Sequence, residues 1–302
     1  MKKLVDSKKN SATRAPFVFK HNGLYYSCFT ADCASLTVAA SKTVEGLGSV
    51  DGIKVYTPEP GHEYSSNLWA PELHIVDGVC YIYVACDDGN NHNHRMFVLT
   101  NDSSDPQAPY RMIGKITDPS DKWAIDGTIM NHNGKSYFIW SGWEGDENIC
   151  QNLYIAEMSG PTSLASSRVL ISTPEYDWEK IGATGEPESP FINEGAFVFT
   201  ASGKTYLTYS ASGSWCTGYC IALLEFVGND PLCPEAWVKK PTPILSSNNT
   251  VKGAGHCSVI CDDDVIRVFF HAWSADEADI RWNTVDTWYG ELKIGKDSIT
   301  IE

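Results

Sequence analysis

The sequence predicts an all-β chain folded as a five-bladed β-propeller. Three observations lead there. Five hairpin signatures recur along the 302 residues, their turn residues fall at a roughly constant interval, and helical periodicity is nearly absent. Five matched hairpins are more than turn statistics readily supply, which disfavours a β-sandwich with coincidental hairpins. A single domain over residues 1–302 is expected.

The hairpins come in order. "PFVFKHNGLYYSCFT", from Pro16, sets two apolar, aromatic strands around Asn22-Gly23, a dipeptide that strongly favours a two-residue hairpin turn. "PELHIVDGVCYIYVACD", from Pro71, turns at Asp77-Gly78. "GTIMNHNGKSYFIWSG", from Gly127, turns at Asn133-Gly134. "GAFVFTASGKTYLTYSAS", from Gly195, turns at Ser202-Gly203. "HCSVICDDDVIRVFFHAW", from His256, turns on the run Asp262–Asp264. The turn glycines lie 55, 56 and 69 residues apart, leaving room for four strands per interval. Leu36 to Ser41, Arg95 to Thr100, Asn152 to Met158 and Tyr219 to Phe226 read as third strands.

In a propeller the first strand of each blade lines the central axis, so the residues just before those strands meet at one end of the channel. Eight residues before each turn glycine stand Ala15, Ala70 and Asp126. Nine before Gly203 stands Glu194, and eight before Asp264 stands His256. The repeat alone gathers Asp126, Glu194 and His256 beside Ala15. Two carboxylates and a histidine at a channel mouth suit general acid–base work. Glu194 lies between apolar runs near a second negative charge, and both effects disfavour its ionisation.

Composition narrows the partners. A net charge of −15 argues against nucleic acid, whose phosphates need a basic face, and is compatible with a neutral polysaccharide. No apolar run approaches the roughly 18 residues of a membrane span, so no membrane partner is expected. The start "MKKLVDSKKN" is basic without an apolar stretch behind it; a cytoplasmic protein, or a secreted one whose signal has been removed, fits. The ten cysteines read mainly as buried free thiols, with one or two disulfides if the protein is exported. Trp69, Trp123, Trp143, Trp178 and Trp215 fall in loop-like segments, where flat aromatic faces suit sugar rings; Trp178 and Trp237 read as packing instead. Asn67, Trp69, Trp143 and Arg281 are the candidate substrate-binding residues, although Arg281 fits a surface salt bridge equally well.

Taken together, "RAPFVFKHNGLYY", "NLWAPELH", "AIDGTIMNHNGKSYFIWSG", "NLYIAEM", "NEGAFVFTASGKTYLTYSAS" and "GAGHCSV" resemble glycoside hydrolase family 43, over nearly the whole chain and in the family's order. The resemblance implies a five-bladed propeller that hydrolyses arabinofuranosides, arabinans or xylosides with inversion, using three axial carboxylates. By motif match Glu194 is the general acid and Asp126 the residue that tunes its pKa. The general base, an Asp in an "R-D-P" or "A-D-P" segment, falls on Ala15 in Arg14-Ala15-Pro16. Two explanations stand. Ala15 is an engineered knockout, which the intact flanking segment and remaining carboxylates favour, or the chain is a natural, catalytically silent sugar binder. A base from a mobile loop is a third.

His256, in "GAGHCSV", matches a family histidine that often touches a calcium or sodium ion through water. Such an ion in the central channel would be structural; no cofactor is needed for the chemistry. The family's β-xylosidases usually carry a further β-sandwich, and this chain stops soon after its fifth hairpin. The expectation is therefore an exo-acting α-L-arabinofuranosidase with an arabinose-containing oligo- or polysaccharide as partner. Endo-arabinanase, β-xylosidase and a non-catalytic carbohydrate-binding propeller are the alternatives.

Overall fold

A computed structural model describes residues 1–8, 14–262, 265–295 and 298–302. The chain is all-β. Strand β1 (Lys2–Val5) is followed by β2 (Phe17–His21), β3 (Leu24–Phe29), β4 (Leu36–Ser41) and β5 (Ile53–Tyr56), which form an antiparallel meander. A second meander comprises β6 (Ser66–Val76), β7 (Val79–Asp87), β8 (Arg95–Thr100) and β9 (Arg111–Lys115). Next come β10 (Ala124–His132), β11 (Lys135–Trp143) and β12 (Cys150–Gly160), with β13 (Ser163–Leu164) and β14 (Val169–Ser172) both paired to β12. The following run is β15 (Phe191–Ala201), β16 (Lys204–Ala211), β17 (Cys220–Phe226) and β18 (Trp237–Lys239). The last is β19 (Val251–Asp262), β20 (Val265–Ser274), β21 (Asp286–Ile294) and β22 (Ile299–Ile301), and β1 returns to pair with β21. Hydrogen bonding gathers these into four sheets, because a short parallel pairing of Cys150 with Phe191 and Gln151 with Ile192 joins the third and fourth runs. Among the described residues no sheet closes on itself.

The hairpin turns follow from local chemistry. Asn22-Gly23, Asp77-Gly78, Asn133-Gly134 and Ser202-Gly203 have positive φ at both central residues, between 48° and 79°. That is the two-residue turn whose twist matches the strands it joins. The fifth expected turn includes Asp263 and Asp264, which lie outside the described residues; its flanks Asp262 and Val265 are paired. Strands β4 and β8 have the bounds expected of third strands, β12 contains the whole of its expected range, and β17 all but Tyr219.

Apolar side chains leave the strands on both faces. Along β7, Cys80, Ile82, Val84 and Cys86 point to a cluster shared with β2–β4, whereas Tyr83 and Ala85 point to one shared with β10–β12. This is the two-residue side-chain period of a strand with neighbours on each side. Five such clusters lie between successive runs, the last joining Val18 and Ala39 to Ile260, Phe269 and Tyr289. The first strands touch in sequence: β2 packs on β6, β6 on β10, β10 on β15, β15 on β19, and β19 on β2. All ten cysteines are free thiols, with Cys28, Cys80, Cys86, Cys220 and Cys257 buried.

Candidate active site

Four of the five first strands break their ladder at the same place. Pairing slips between Trp69 and Glu72, Ile125 and Thr128, Glu194 and Phe197, and Gly255 and Ser258. Inside these bulges Ala70, Asp126, Gly195 and His256 adopt left-handed backbone, with φ of 44°, 57°, 59° and 47°; Ala15, just ahead of β2, has φ 45°. A bulge of this kind re-aims the neighbouring side chains. The eight-residue count thus lands on Gly195 in the fourth run. Glu194, reached by a nine-residue count, is one place earlier and in register with Arg14, Trp69 and Ile125. Gly195 is needed there: a β-carbon would come within 3.2 Å of the His256 ring, on a backbone that side chains disfavour.

The bulges converge on a cavity of about 340 Å³, lined by Ala15, Asp126, Glu194 and His256 among others. Its size is at the lower end of small-molecule sites, roughly 300–1,000 Å³. Glu194 is buried and its Oε1 accepts the Tyr219 hydroxyl at 2.7 Å. Burial, and then the Asp126 charge, push its pKa up from 4.5 to about 8, against the smaller opposing pull of the Tyr219 hydrogen bond. Glu194 is therefore a carboxylic acid at neutral pH. Asp126 Oδ2 accepts the Gly195 N–H at 2.9 Å and lies 3.7 Å from His256 Nδ1, so one carboxylate both fixes the backbone beside Glu194 and raises that residue's pKa. His271 Nδ1 accepts the Ala15 N–H at 3.1 Å. Its ring proton must then sit on Nε2, and burial keeps the ring neutral, well below its ordinary pKa.

The Glu194 argument carries a test. Asp126→Asn keeps an acceptor for the Gly195 N–H and removes the charge, so the Glu194 midpoint should fall from about 8. Tyr219→Phe should move it up. Carboxyl ¹³C NMR titration reads both; an unmoved midpoint in Asp126→Asn would refute the electrostatic account. The linked stability has a definite sign. Because the folded pKa is raised, this contribution is full below pH 4.5 and is lost as pH rises through about 8.

Tryptophans wall the cavity, but not all those expected. Trp69, Trp123, Trp215 and Trp282 line it. Trp143 does not: at the end of β11 it is 1% exposed and stacks behind Trp123 at 4.8 Å, so it supports the wall from within the core. Asn67 is also turned away. Its amide donates to both Asp87 carboxylate oxygens at 3.0 Å, placing it behind Trp69. Arg281 is exposed and paired with Asp279, not with an axial carboxylate; the next residue, Trp282, takes the cavity instead, with the Arg14 guanidinium 5.1 Å over its ring. Trp178 and Trp237 pack against the core between the third and fourth runs, as expected.

Arg14, Tyr219, His271 and Trp282 are cavity residues that motif reading passed over. Arg14 and Trp282 adjoin residues it had singled out. Nothing local marks Tyr219 or His271, whose roles arise from contacts across the chain. An ion beside His256 finds one carboxylate, Asp126, near the ring. Among the described residues no group of three or more His, Cys, Asp or Glu forms a metal cluster, so an ion there would take most of its oxygen ligands from water.

A protonated acid beside a carboxylate, beneath aromatic walls in a cavity of this size, suits acid–base work on a sugar. The chain belongs to the glycosyl hydrolases family 43, whose sequence profile matches residues 9–284. It is 30% identical over 256 residues to an extracellular exo-α-(1→5)-L-arabinofuranosidase of Streptomyces chartreusis, covering 82% of this chain and 76% of that protein. It is 32% identical over 258 residues to α-L-arabinofuranosidase 43 of Humicola insolens, covering 82% of this chain but only 52% of that relative. The crystal structure of an α-L-arabinofuranosidase from Lactobacillus brevis superposes with a TM-score of 0.85 at 28% identity, over 99% of this chain and 94% of that one. A Cellvibrio cellulosa α-L-arabinanase complexed with arabinohexaose, 16% identical, shares the fold with a TM-score of 0.71, over 97% of this chain and 96% of that one. Among the described residues no helix is long and apolar enough to cross a membrane.

Proposed function

We propose that this chain is a five-bladed β-propeller of the inverting, exo-acting α-L-arabinofuranosidase type, with the general-base position occupied by Ala15. The observation that carries the reading is Glu194, buried in a sugar-sized cavity and held protonated by burial and by Asp126. In this reading Glu194 protonates the leaving glycosidic oxygen while a water attacks the opposite face of the sugar. Inverting enzymes keep roughly 6.5–9.5 Å between acid and base to admit that water. The relatives' activities support arabinose as the sugar removed. The rim supports exo attack: His92, in the loop after β7, lies 3.2 Å from Glu188, in the loop before β15, tying two loops together beside the cavity.

The methyl group of Ala15 supports a second reading, a propeller that binds arabinosides without cleaving them. Both readings require binding, so calorimetric titration with arabino-oligosaccharides is the test. The chain should bind them, and Trp69→Ala should weaken binding by about 1–3 kcal/mol with little change in melting temperature. Absence of binding to any arabinoside would overturn both readings. A large loss of stability with unchanged affinity would assign Trp69 to packing.

A further inference from the structure

Buried polar atoms without partners are few in this protein, and most of them surround the cavity. Among the described residues seven side-chain nitrogen or oxygen atoms are buried with no hydrogen bond, and five belong to residues that line it: Thr30, Asn91, Asn148, Gln151 and His271. Each such atom costs about 1–3 kcal/mol when nothing replaces the water it lost. A cost repeated around one cavity and scarce elsewhere points to a ligand that supplies the partners.

Three of the five are carboxamides on neighbouring segments. Asn91 is in the loop after β7, Asn148 in the loop before β12, and Gln151 within β12. Asn148 and Gln151 are 8% and 7% exposed. The partnerless atoms are Oδ1 of both asparagines and Oε1 of Gln151. The main chain around them is well anchored. The Trp123 indole N–H donates to the Asn91 carbonyl oxygen at 2.7 Å, and the Glu188 N–H donates to the Asn148 carbonyl oxygen at 3.2 Å. His92, beside Asn91, contacts the same Glu188, and Gln151 pairs with Ile192 where β12 meets β15. The backbone is therefore fixed while the side-chain oxygens are left over. An Asn or Gln kept for structure does the reverse, spending its amide on a turn or a strand end.

Depth locates the ligand atoms concerned. Glu188, Pro190, Ile192 and Glu194 all line the cavity, running from an exposed loop residue to the buried acid. Ile192 stands two residues before Glu194, about 7 Å toward the entrance, and Gln151 is its partner. Asn148 and Asn91 are tied to Glu188, further out still. This wall lies between the acid and the entrance, where the group departing from the protonated oxygen must pass. A carboxamide offers both donor and acceptor without charge, which matches neutral hydroxyls; an aryl group would leave it unsatisfied.

We propose that Asn91, Asn148 and Gln151 form a leaving-group subsite that binds the hydroxyls of the sugar next to the terminal one, so that the site selects a carbohydrate aglycone over an aryl or alkyl one. This rests on the exo-acting arabinoside reading for the identity of the sugar and for the direction in which it leaves.

Calorimetric titration of the unmodified chain compares arabinobiose with methyl α-L-arabinofuranoside, which presents the first sugar without the second. Gln151→Met and Asn148→Leu nearly keep the volume and remove the amide. Each should weaken arabinobiose binding roughly three- to tenfold and methyl glycoside binding less than about twofold. Melting temperature gives a readout that a structural role would move the other way: with a partnerless amide gone, both variants should melt at or above the parent temperature. Asn91→Ala, at the half-buried end of the wall, tests the same loss if a variant at 148 or 151 fails to fold. Unchanged arabinobiose affinity in the folded variants overturns the inference, as does an equal loss for both ligands or a lowered melting temperature in all of them. If arabinobiose does not bind the unmodified chain, xylobiose is the second probe. Xylobiose binding that Gln151→Met weakens would sink the arabinoside reading and uphold the subsite; binding of neither disaccharide would overturn both.

Discussion

Ala15→Asp should raise arabinoside hydrolysis by about 10²–10⁴-fold, the range for general-base assistance. The backbone already suits the change. Position 15 has φ 45°, left-handed space that Asp tolerates better than Ala, and Asp126 occupies the equivalent bulge of the third run at φ 57°. The new carboxylate would enter the cavity that Glu194 lines, where it can orient a water and take its proton as Glu194 gives one to the leaving oxygen. Alanine can do neither. Assays on aryl α-L-arabinofuranoside and arabino-oligosaccharides, with the released anomer followed by NMR, decide the matter. Inverted product supports the proposed mechanism, and retained configuration would refute it. A folded Ala15→Asp protein that binds arabinosides but cleaves no arabinoside or xyloside would establish the binding-only reading.

The largest stability effect should come from Lys239→Met. Lys239 Nζ lies 2.9 Å from Glu179 Oε1, and the Glu179 side chain is fully buried. Glu179 also accepts from the Tyr209 hydroxyl, the Asn193 amide and the backbone N–H groups of Glu175 and Tyr176. Burial alone would raise its pKa, but Lys239 and these backbone donors hold it below the ordinary value. Removing Lys239 strands a charge in the core, which costs about 3–5 kcal/mol. The urea midpoint should fall accordingly, with part of the loss recovered in Lys239→Met/Glu179→Gln. The native contribution is present above the ordinary carboxylate range and fades as pH falls through the depressed value. Asn193 directly precedes Glu194, so the variant should also loosen the acid. An unfolding free energy within about 1 kcal/mol of the parent would show that the pair contributes no more than a surface one.

Strands and turns were legible because their causes are local. Asn-Gly and Asp-Gly set the turn type, and alternation of apolar residues set the faces. The axial residues were legible because the turns are regular, and counting back from them reaches Ala15, Asp126 and His256 without chemical preselection. The count slipped in the fourth run, where Gly195, and not Glu194, takes the left-handed position; register inside a bulge depends on pairing with the next strand. Tryptophans were the least legible. Trp123 and Trp143 both looked like loop residues, yet one lines the cavity and the other stacks behind it. Arg281 was singled out where Trp282 serves, because a tight 3₁₀ turn decides which neighbour faces inward. The contacts of Tyr219 with Glu194 and of His271 with Ala15 join separate segments of the chain and left no local mark.

The pairing of β1 with β21 bears on how the chain reaches this state. Ser7 donates its N–H to Asp286, 279 residues along the chain, and Lys3 pairs with the same carboxylate. A contact of that span forms late, since the entropy of closing so long a loop must be met before the contact returns anything. On the ribosome, residues 2–5 emerge well before β21 and must wait for it before they find their partner. Until then residues 287–289 of β21 present an unpaired edge able to accept a strand from another molecule, the rest of that edge being covered by β22. The slow, vulnerable step of biosynthesis should therefore be the docking of this first strand, and a chaperone that shields β21 during that wait would raise the yield of native protein.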